Sequence, residues 1–370
     1  VPNHCGVMHP WFQAALADPA APTAEYFTIH QRPDDYEAWL GVRTLPKLNY
    51  RSQALRQAIY AGPQAVFRHW LRPPYAADGW RIDVANMLAR QGPDQLGVEV
   101  GQGIRQAVKA ENPQAYLLGE NFFDASPQLQ GDMWDAVMNY AGFSIPLWHW
   151  LGRFQAYVRG DSQPAAAGPI STRALVDAFQ AYRASIPWAI ARQQFNLVGS
   201  HDTQRMASSL GGDMALLRLA VVLMFTYPGV PCIYYGDEIG LGREGSESSR
   251  QCMQWDERTW DADLRAFFQS LARLRRSAPA LIEGGFQVLL ADADTLVYQR
   301  DSQAQTMLVV AQRGTTTRAG FPLPVIPGGL PDGMQFRELF SGRLARVENG
   351  FFPLPDLRPG PQVWISNGTP

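Results

Sequence analysis

The sequence predicts an α/β fold, a parallel sheet or barrel followed by a small antiparallel β domain. Three observations predict it. From about residue 76 to 276, short apolar runs alternate with amphipathic helical patterns, as in repeated strand–helix units. Polar residues then recur at one end of several of those runs. After roughly residue 278 the pattern becomes short apolar stretches between Gly/Pro turns, without a convincing helix.

The elements follow in order. "GWRIDVA" (79–85) reads as a strand, and the next segment carries Val100, Ile104 and Val108 at a helical spacing of four. "AYLLGEN" (115–121) is a second strand and "DAVMNY" (135–140) a third candidate. A helix bearing Leu175, Phe179, Tyr182 and Ile186 precedes the strand in "QFNLVGSHD" (194–202). A second, "MALLRLAVVLMF", precedes "PCIYYGDE" (231–238). A last amphipathic helix places Leu264, Phe267, Phe268, Leu271 and Leu274 on one side. "TLVYQR", "TMLVVAQR" and "QVWIS" read as strands of the terminal β domain, 278–370. Residues 5–50 look irregular, an excursion rather than a core layer. No internal repeat or low-complexity tract is visible.

Composition excludes several functions. At 370 residues the chain can hold one large domain and a smaller one, each with a core. A formal charge of −2 supplies no basic field for nucleic acid or anionic lipid. The most apolar run, "LAVVLMFTYPGVPCIYY", is interrupted by Pro228, Gly229 and Pro231 before it reaches membrane-spanning length. Cys5, Cys232 and Cys252 are too few and scattered for a disulfide framework or zinc knuckle, and suit a reducing compartment. Of the 11 tryptophans, most are expected to fill cores, although some would suit stacking on sugar rings.

The chemistry lies in "GWRIDVANM" (79–87). Side chains alternate along a strand, so Arg81 and Asp83 share one face while Trp80, Ile82 and Val84 share the other. Asp83, Glu120 and the pair His201–Asp202 each lie in or just after an apolar strand, before the next helix. In a (β/α)8 barrel that is the C-terminal rim, where active sites are assembled. Converging carboxylates would repel, and Arg81 is the counter-charge that would keep Asp83 ionised. Taken singly, Arg81–Asp83 reads equally as a structural pair, Glu120 as a cap and His201–Asp202 as a turn. Their common position at strand ends argues for function. Asp237 and Glu238, after "IYYG", read as structural or capping.

At these residues the chain resembles the α-amylase family of glycosidases. "GWRIDVANM" is similar to the family's strand-four motif, G-x-R-x-D, and "LLGEN" to the strand-five segment ending in the acid/base glutamate. "NLVGSHDT" resembles the strand-seven motif, and "VPNH" the tail of the strand-three motif D-x-V-x-N-H. "PGVPCIYYGDEIGL" looks like the eighth strand and "SSRQCMQWD" like the R-x-x-M-x-W loop. "TLPKLN" (44–49) resembles an extra motif of the branch holding neopullulanases, cyclomaltodextrinases and maltodextrin glucosidases. The region around "VFRHWLRPPYAADGWRIDVANM" is most similar to the last of these, and Asn86 followed by Met87 fits the branch where typical α-amylases carry Lys and His.

The resemblance implies roles by position. Asp83 would be the nucleophile of a retaining mechanism through a covalent glycosyl-enzyme, and Glu120 the acid/base, held protonated near neutral pH. Asp202 would stabilise the oxocarbenium-like transition state. His4, Asn86 and His201 would bind substrate, and Arg81 would orient Asp83. Lys47 and Asn49 would shape the excursion rather than touch sugar. The implied substrate is a short maltodextrin or related α-glucan oligosaccharide, cleaved at α-1,4 bonds. A neopullulanase or cyclomaltodextrinase is the alternative within the family, and a non-catalytic amylase-fold binding or transporter-associated protein the alternative outside it. Asn3 occupies a position that binds calcium in many α-amylases, but without identifiable neighbouring ligands no metal is expected, nor any cofactor. Cytoplasmic location follows from family analogy and the sparse cysteines.

The resemblance also implies architecture. Residues 1–277 would form a (β/α)8 TIM barrel that is incomplete, lacking roughly its first three strands, with 5–50 as the excursion after strand three. Residues 278–370 would form an antiparallel β-sandwich. The motif D-x-V-x-N-H lacks its first residue because the sequence starts after it, so N-terminal truncation is expected, and with it low stability and little activity for this span alone. A β domain that precedes the barrel in this branch often serves dimerisation, which makes a homodimer of the full-length protein an expectation by analogy.

Overall fold

A computed structural model describes residues 2–152, 169–242 and 249–366. Val1 of "VPNH" and Ser248 of "SSRQCMQWD" lie outside them. The chain divides into two compact units, one of residues 1–139 with 186–194, the other of 140–185 with 195–370.

The first unit opens with an excursion that is less irregular than its sequence suggests. A helix α1 spans Pro10–Ala17 with Pro10 in its first turn, and His9 Nδ1 accepts from the Trp11 N–H at 3.2 Å. Proline fits the first helical position because its missing N–H would have no intrahelical partner there. Phe12 anchors this helix, its ring edge-on to Phe27 at 5.0 Å and Tyr36 at 4.8 Å. Two buried residues in eight give too short a period to read from sequence.

The core of this unit is a three-stranded parallel sheet: β1 (Gly79–Ile82), β2 (Tyr116–Gly119) and β3 (Ala136–Val137), β2 in the middle. Helix α2 (Gly97–Glu111) crosses from β1 to β2 and buries Val100, Ile104 and Val108, the spaced residues. Glu99 in its first turn and Lys109 in its last complement the helix dipole. Burying each of those aliphatics contributes roughly 1.5–3 kcal/mol. Asp135 ties sheet to helix, accepting from Leu117 N at 2.9 Å, Lys109 Nζ at 2.8 Å and Arg105 Nη1 at 2.8 Å. Burial opposes its charge, but those donors hold its carboxyl below the usual range. Gly79 has no substitute, since a Cβ there would lie 2.1 Å from the Tyr116 carbonyl oxygen.

The second unit holds helix α3 (Thr172–Ala184), strand β4 (Phe195–Leu197), helix α4 (Met214–Thr226), strand β5 (Val230–Cys232) and helix α5 (Ala262–Ser277). β4 and β5 pair in parallel. α3 stops at Ala184, so Ile186 is not part of its apolar face; Pro187 follows, and the residue before a proline is driven out of helical geometry. α4 is buried along most of its length, with Leu219 through Met224 each at most 1% exposed.

The terminal region is antiparallel as its pattern predicts. Strands β6 (Gly285–Asp292), β7 (Thr295–Ser302), β8 (Gln305–Gln312), β10 (Gln335–Glu338), β11 (Leu344–Arg346) and β13 (Gly360–Ile365) form one sheet in the order β6-β7-β8-β13-β10-β11. β9 (Phe321–Pro324) and β12 (Phe351–Leu354) pair separately. Val297, Leu308, Leu323, Phe336, Phe352 and Trp364 share one core. A short helix does occur here, Pro279–Ile282, where Ala280 and Leu281 are buried against Met307. Among the described residues no helix is long and apolar enough to cross a membrane, and Cys5, Cys232 and Cys252 are free thiols.

Candidate active site

In the first unit, strand register places the two leading candidates side by side. Ile82 pairs with Gly119, so Asp83 and Glu120 leave neighbouring strands at the same C-terminal edge. The backbone continues the ladder past that edge: Glu120 N donates to Ile82 O at 2.8 Å and Ala85 N to Glu120 O at 3.0 Å. Gly119 precedes Glu120 in a tight spot, where a Cβ would sit 3.0 Å from the Trp134 side chain and 3.2 Å from that of Ala85.

The strand stops at Ile82, and this corrects the alternation drawn through Val84. Val84 has φ 49°, a left-handed conformation that costs a β-branched residue energy. The turn aims the Val84 N–H at Glu120 Oε2, 2.8 Å away. Arg81 and Asp83 are only half-buried, with side chains 34% and 28% exposed, because they face an open site and not a closed core.

Arg81 joins both carboxylates. Its Nη1 donates to Asp83 Oδ1 at 2.9 Å. Its Nη2 lies 2.8 Å from Glu120 Oε1, an ion pair whose N–H is not aligned for a hydrogen bond. Burial works to raise the Asp83 pKa, while the Arg81 guanidinium, by hydrogen bond and by charge, pulls it down. His4 completes the group, with Nε2 3.8 Å from Asp83 Oδ2. The Asn3 side-chain amide sits 3.1 Å from His4 Nδ1, on the side of the ring away from Asp83. Trp39 stacks on the His4 ring at 5.4 Å. Burial lowers the His4 pKa, opposed by Asp83, so the ring is neutral at pH 7.

The other first-unit candidates differ in kind. Asn86 is half-buried in the single turn Ala85–Met87 directly after Val84. Lys47 Nζ donates to the Arg90 carbonyl, which ties the excursion to the segment after β1, and Asn49 Oδ1 accepts from Arg51 N at 3.1 Å, a local turn bond.

In the second unit, His201 and Asp202 occupy a tight turn after β4. Thr203 Oγ1 accepts from Ser200 N at 2.8 Å, and Ser200 Oγ from Asp202 N at 3.1 Å. Tyr140 Oη fixes Ser200 Oγ at 2.7 Å. His201 Nε2 lies 3.1 Å from Asp202 Oδ2. Sequence reasoning gave Arg250 no role, yet its Nη2 donates to Asp202 Oδ1 at 2.8 Å and its Nε to the His201 carbonyl at 2.8 Å. The R-x-x-M-x-W pattern was the signal that could have found it. Just beyond β5, Asp237 takes the structural role expected of it, accepting from the fully buried Arg205 at 2.8 Å.

Two carboxylates bridged by a guanidinium, with one imidazole beside them, suit acid/base and nucleophilic work. The family model for the α-amylase catalytic domain matches residues 1–280. A cyclomaltodextrinase of Geobacillus thermopakistaniensis is 33% identical over 332 residues, 87% of this chain and 52% of that protein. The crystal structure of Ttha1563 from Thermus thermophilus superposes with a TM-score of 0.83 at 31% identity, covering 98% of this chain and 75% of that one. A debranching enzyme of Nostoc punctiforme, soaked with acarbose, gives 0.81 at 27% identity over 100% of this chain and 74% of that one. The chain spans about half the length of the curated relatives it matches, 52% and 55% for the first two. With its motifs at strand ends and the catalytic-domain match over residues 1–280, the chain belongs to the α-amylase family of glycosidases.

Proposed function

We propose that this chain carries the machinery of a retaining glycosidase that cleaves α-1,4-glucosidic bonds of short maltodextrins. The observation that carries the reading is the single Arg81 guanidinium, 2.9 Å from Asp83 and 2.8 Å from Glu120 at the ends of adjacent parallel strands. A shared guanidinium keeps the two carboxyl groups near each other, as a retaining pair requires. Asp83, ionised and oriented by Arg81, attacks the anomeric carbon and forms a glycosyl ester as the glycosidic C–O bond breaks. Glu120 gives its proton to the departing oxygen. Water then attacks the anomeric carbon while Glu120 takes a proton from it, the bond from that carbon to the Asp83 oxygen breaks, and Asp83 leaves as carboxylate. By the family resemblance, Asp202 would be the third carboxylate, stabilising positive charge on the sugar ring, and His4, Asn86 and His201 would bind substrate hydroxyls. A cytoplasmic location and a homodimer of the full-length protein belong to the same reading, by analogy with the branch.

The test is a trapped intermediate. A fluorinated α-glucosyl fluoride should label Asp83 in the mass spectrum of a peptide digest, and NMR should show α-configured first product from maltotriose. Label on another residue, or β-configured product, defeats the mechanism. Products from maltotriose, cyclodextrin and pullulan separate a maltodextrin glucosidase from a neopullulanase or cyclomaltodextrinase. Oligosaccharide binding by the unaltered protein with no turnover at all would favour a non-catalytic binding protein.

A further inference from the structure

We propose that a groove in the terminal β region, away from the strand-end carboxylates in sequence, is a second glucan-binding site. The groove has a cavity volume of about 790 Å³ and is lined by Phe340, Arg343, Asp356, Arg358 and Gln362, with Glu338 at its base. That volume suits a small-molecule site, typically about 300–1,000 Å³.

The lining separates into support and ligand-facing groups. Glu338 is 4% exposed and committed to the fold: Oε2 accepts from Phe340 N at 3.0 Å and both Ser341 N and Oγ, and Oε1 from Val363 N at 3.1 Å. It therefore fixes the turn that carries Phe340. The Phe340 ring is 41% exposed yet stacked on Phe267 at 5.0 Å, so an apolar platform is held rigid at the groove. Gln362 Oε1 accepts from Trp364 Nε1 at 3.0 Å, which leaves the NH2 of its amide to donate. Asp356 Oδ1 accepts from Gly320 N at 2.8 Å, leaving its second oxygen to accept. Arg343 and Arg358 are exposed and add donors.

The charges decide the class of ligand. The lining carries two guanidiniums and two carboxylates, so the groove has no net charge to collect a polyanion. Paired donors and acceptors beside an aromatic face match vicinal hydroxyls and the apolar C–H face of a pyranose. Pro355, Pro359 and Pro361 stiffen the wall, which reduces the ordering cost of binding. The choice of an α-glucan among neutral polyols rests on the function proposed above.

The experiment titrates the Asp83→Asn protein with maltoheptaose by calorimetry, alone and with Phe340→Ala, Arg343→Ala or Arg358→Ala. Two binding events are expected, one of which weakens about tenfold or more in the groove variants while the other holds. The arginine variants are exposed and keep the test open if Phe340→Ala does not fold. With Asp83 intact, the same groove variants should leave maltotriose turnover unchanged and slow soluble starch several-fold. One binding event indifferent to all three substitutions overturns the groove and leaves the glycosidase reading standing. Displacement of maltoheptaose from the groove by millimolar inorganic phosphate also overturns it, as an anion site. No binding of maltoheptaose anywhere overturns both.

Discussion

Nη1 of Arg81 donates to Oδ1 of Asp83 at 2.9 Å, across the point where strand gives way to a left-handed turn. The same guanidinium reaches Glu120 with its other terminal nitrogen. Lysine would keep the charge but is a point donor without the planar fork, and could not serve both carboxylates at once. Arg81→Lys is expected to lower kcat/KM on maltotriose by about 10²–10³, the range for losing one preorganised donor. The loss should fall mainly on kcat, with folding retained by circular dichroism. Activity within a factor of three of the parent, roughly 0.6 kcal/mol of barrier, would contradict the bridging role.

Arg250 holds Asp202 from outside the turn, with a side chain 64% exposed. An exposed pair adds little to stability, so Arg250→Ala should leave Tm nearly unchanged. Its effect should appear in kinetics, because Asp202 loses the donor that orients it. A fall of about tenfold in kcat/KM is expected. A large loss of Tm with unchanged kinetics would assign Arg250 to the fold instead.

The sequence revealed this site better than it revealed the fold around it. Asp83 and Glu120 were legible because charged groups at the ends of apolar runs stand out. The parallel register that sets them side by side was implied by strand–helix alternation. Three features were hidden for physical reasons. The left-handed Val84 is invisible because nothing in a valine codes for φ 49°; the surrounding bonds impose it. The helix Pro10–Ala17 is too short to show a period and is capped by histidine, an uncommon cap. Arg250 acts across 48 residues of sequence, and long-range pairs leave no local signature.

Asp237 gives a pH prediction. Burial pushes its pKa up to about 7, with Arg205 pulling the other way and Glu238 adding to the rise. In the unfolded chain the group ionises near 3.8. Between about pH 4 and 7 the unfolded state therefore binds fewer protons than the folded one, and this group's contribution to stability falls as pH rises. Asp237→Asn removes that slope while keeping an acceptor for Arg205. The Tm of the variant relative to the parent should climb from pH 4.5 to pH 7. A constant or falling difference over that window would show that Asp237 is ionised in the fold throughout.

Arg300 is the last case, a buried cation held by carbonyl oxygens. It is 1% exposed and donates to Gly285 O at 2.8 Å, Thr226 O at 2.7 Å, Gly284 O at 2.9 Å and Leu281 O at 3.3 Å. Burial brings its pKa down to about 10, which still leaves it charged at neutral pH. Its bonds join the end of α4, the helical turn after residue 278 and strands β6 and β7, all within the second unit. Arg300→Met keeps most of the volume and removes every donor, so several buried carbonyls lose their partners. Leaving one such group unsatisfied costs roughly 1–3 kcal/mol, and partial relaxation and water entry limit the sum. A loss of about 3–5 kcal/mol in urea denaturation is expected, as for breaking a buried charged network. Arg300→Lys, with one compact ammonium, should recover only part of it. If methionine were tolerated within about 1 kcal/mol, the arginine would be filling space rather than binding the segments together.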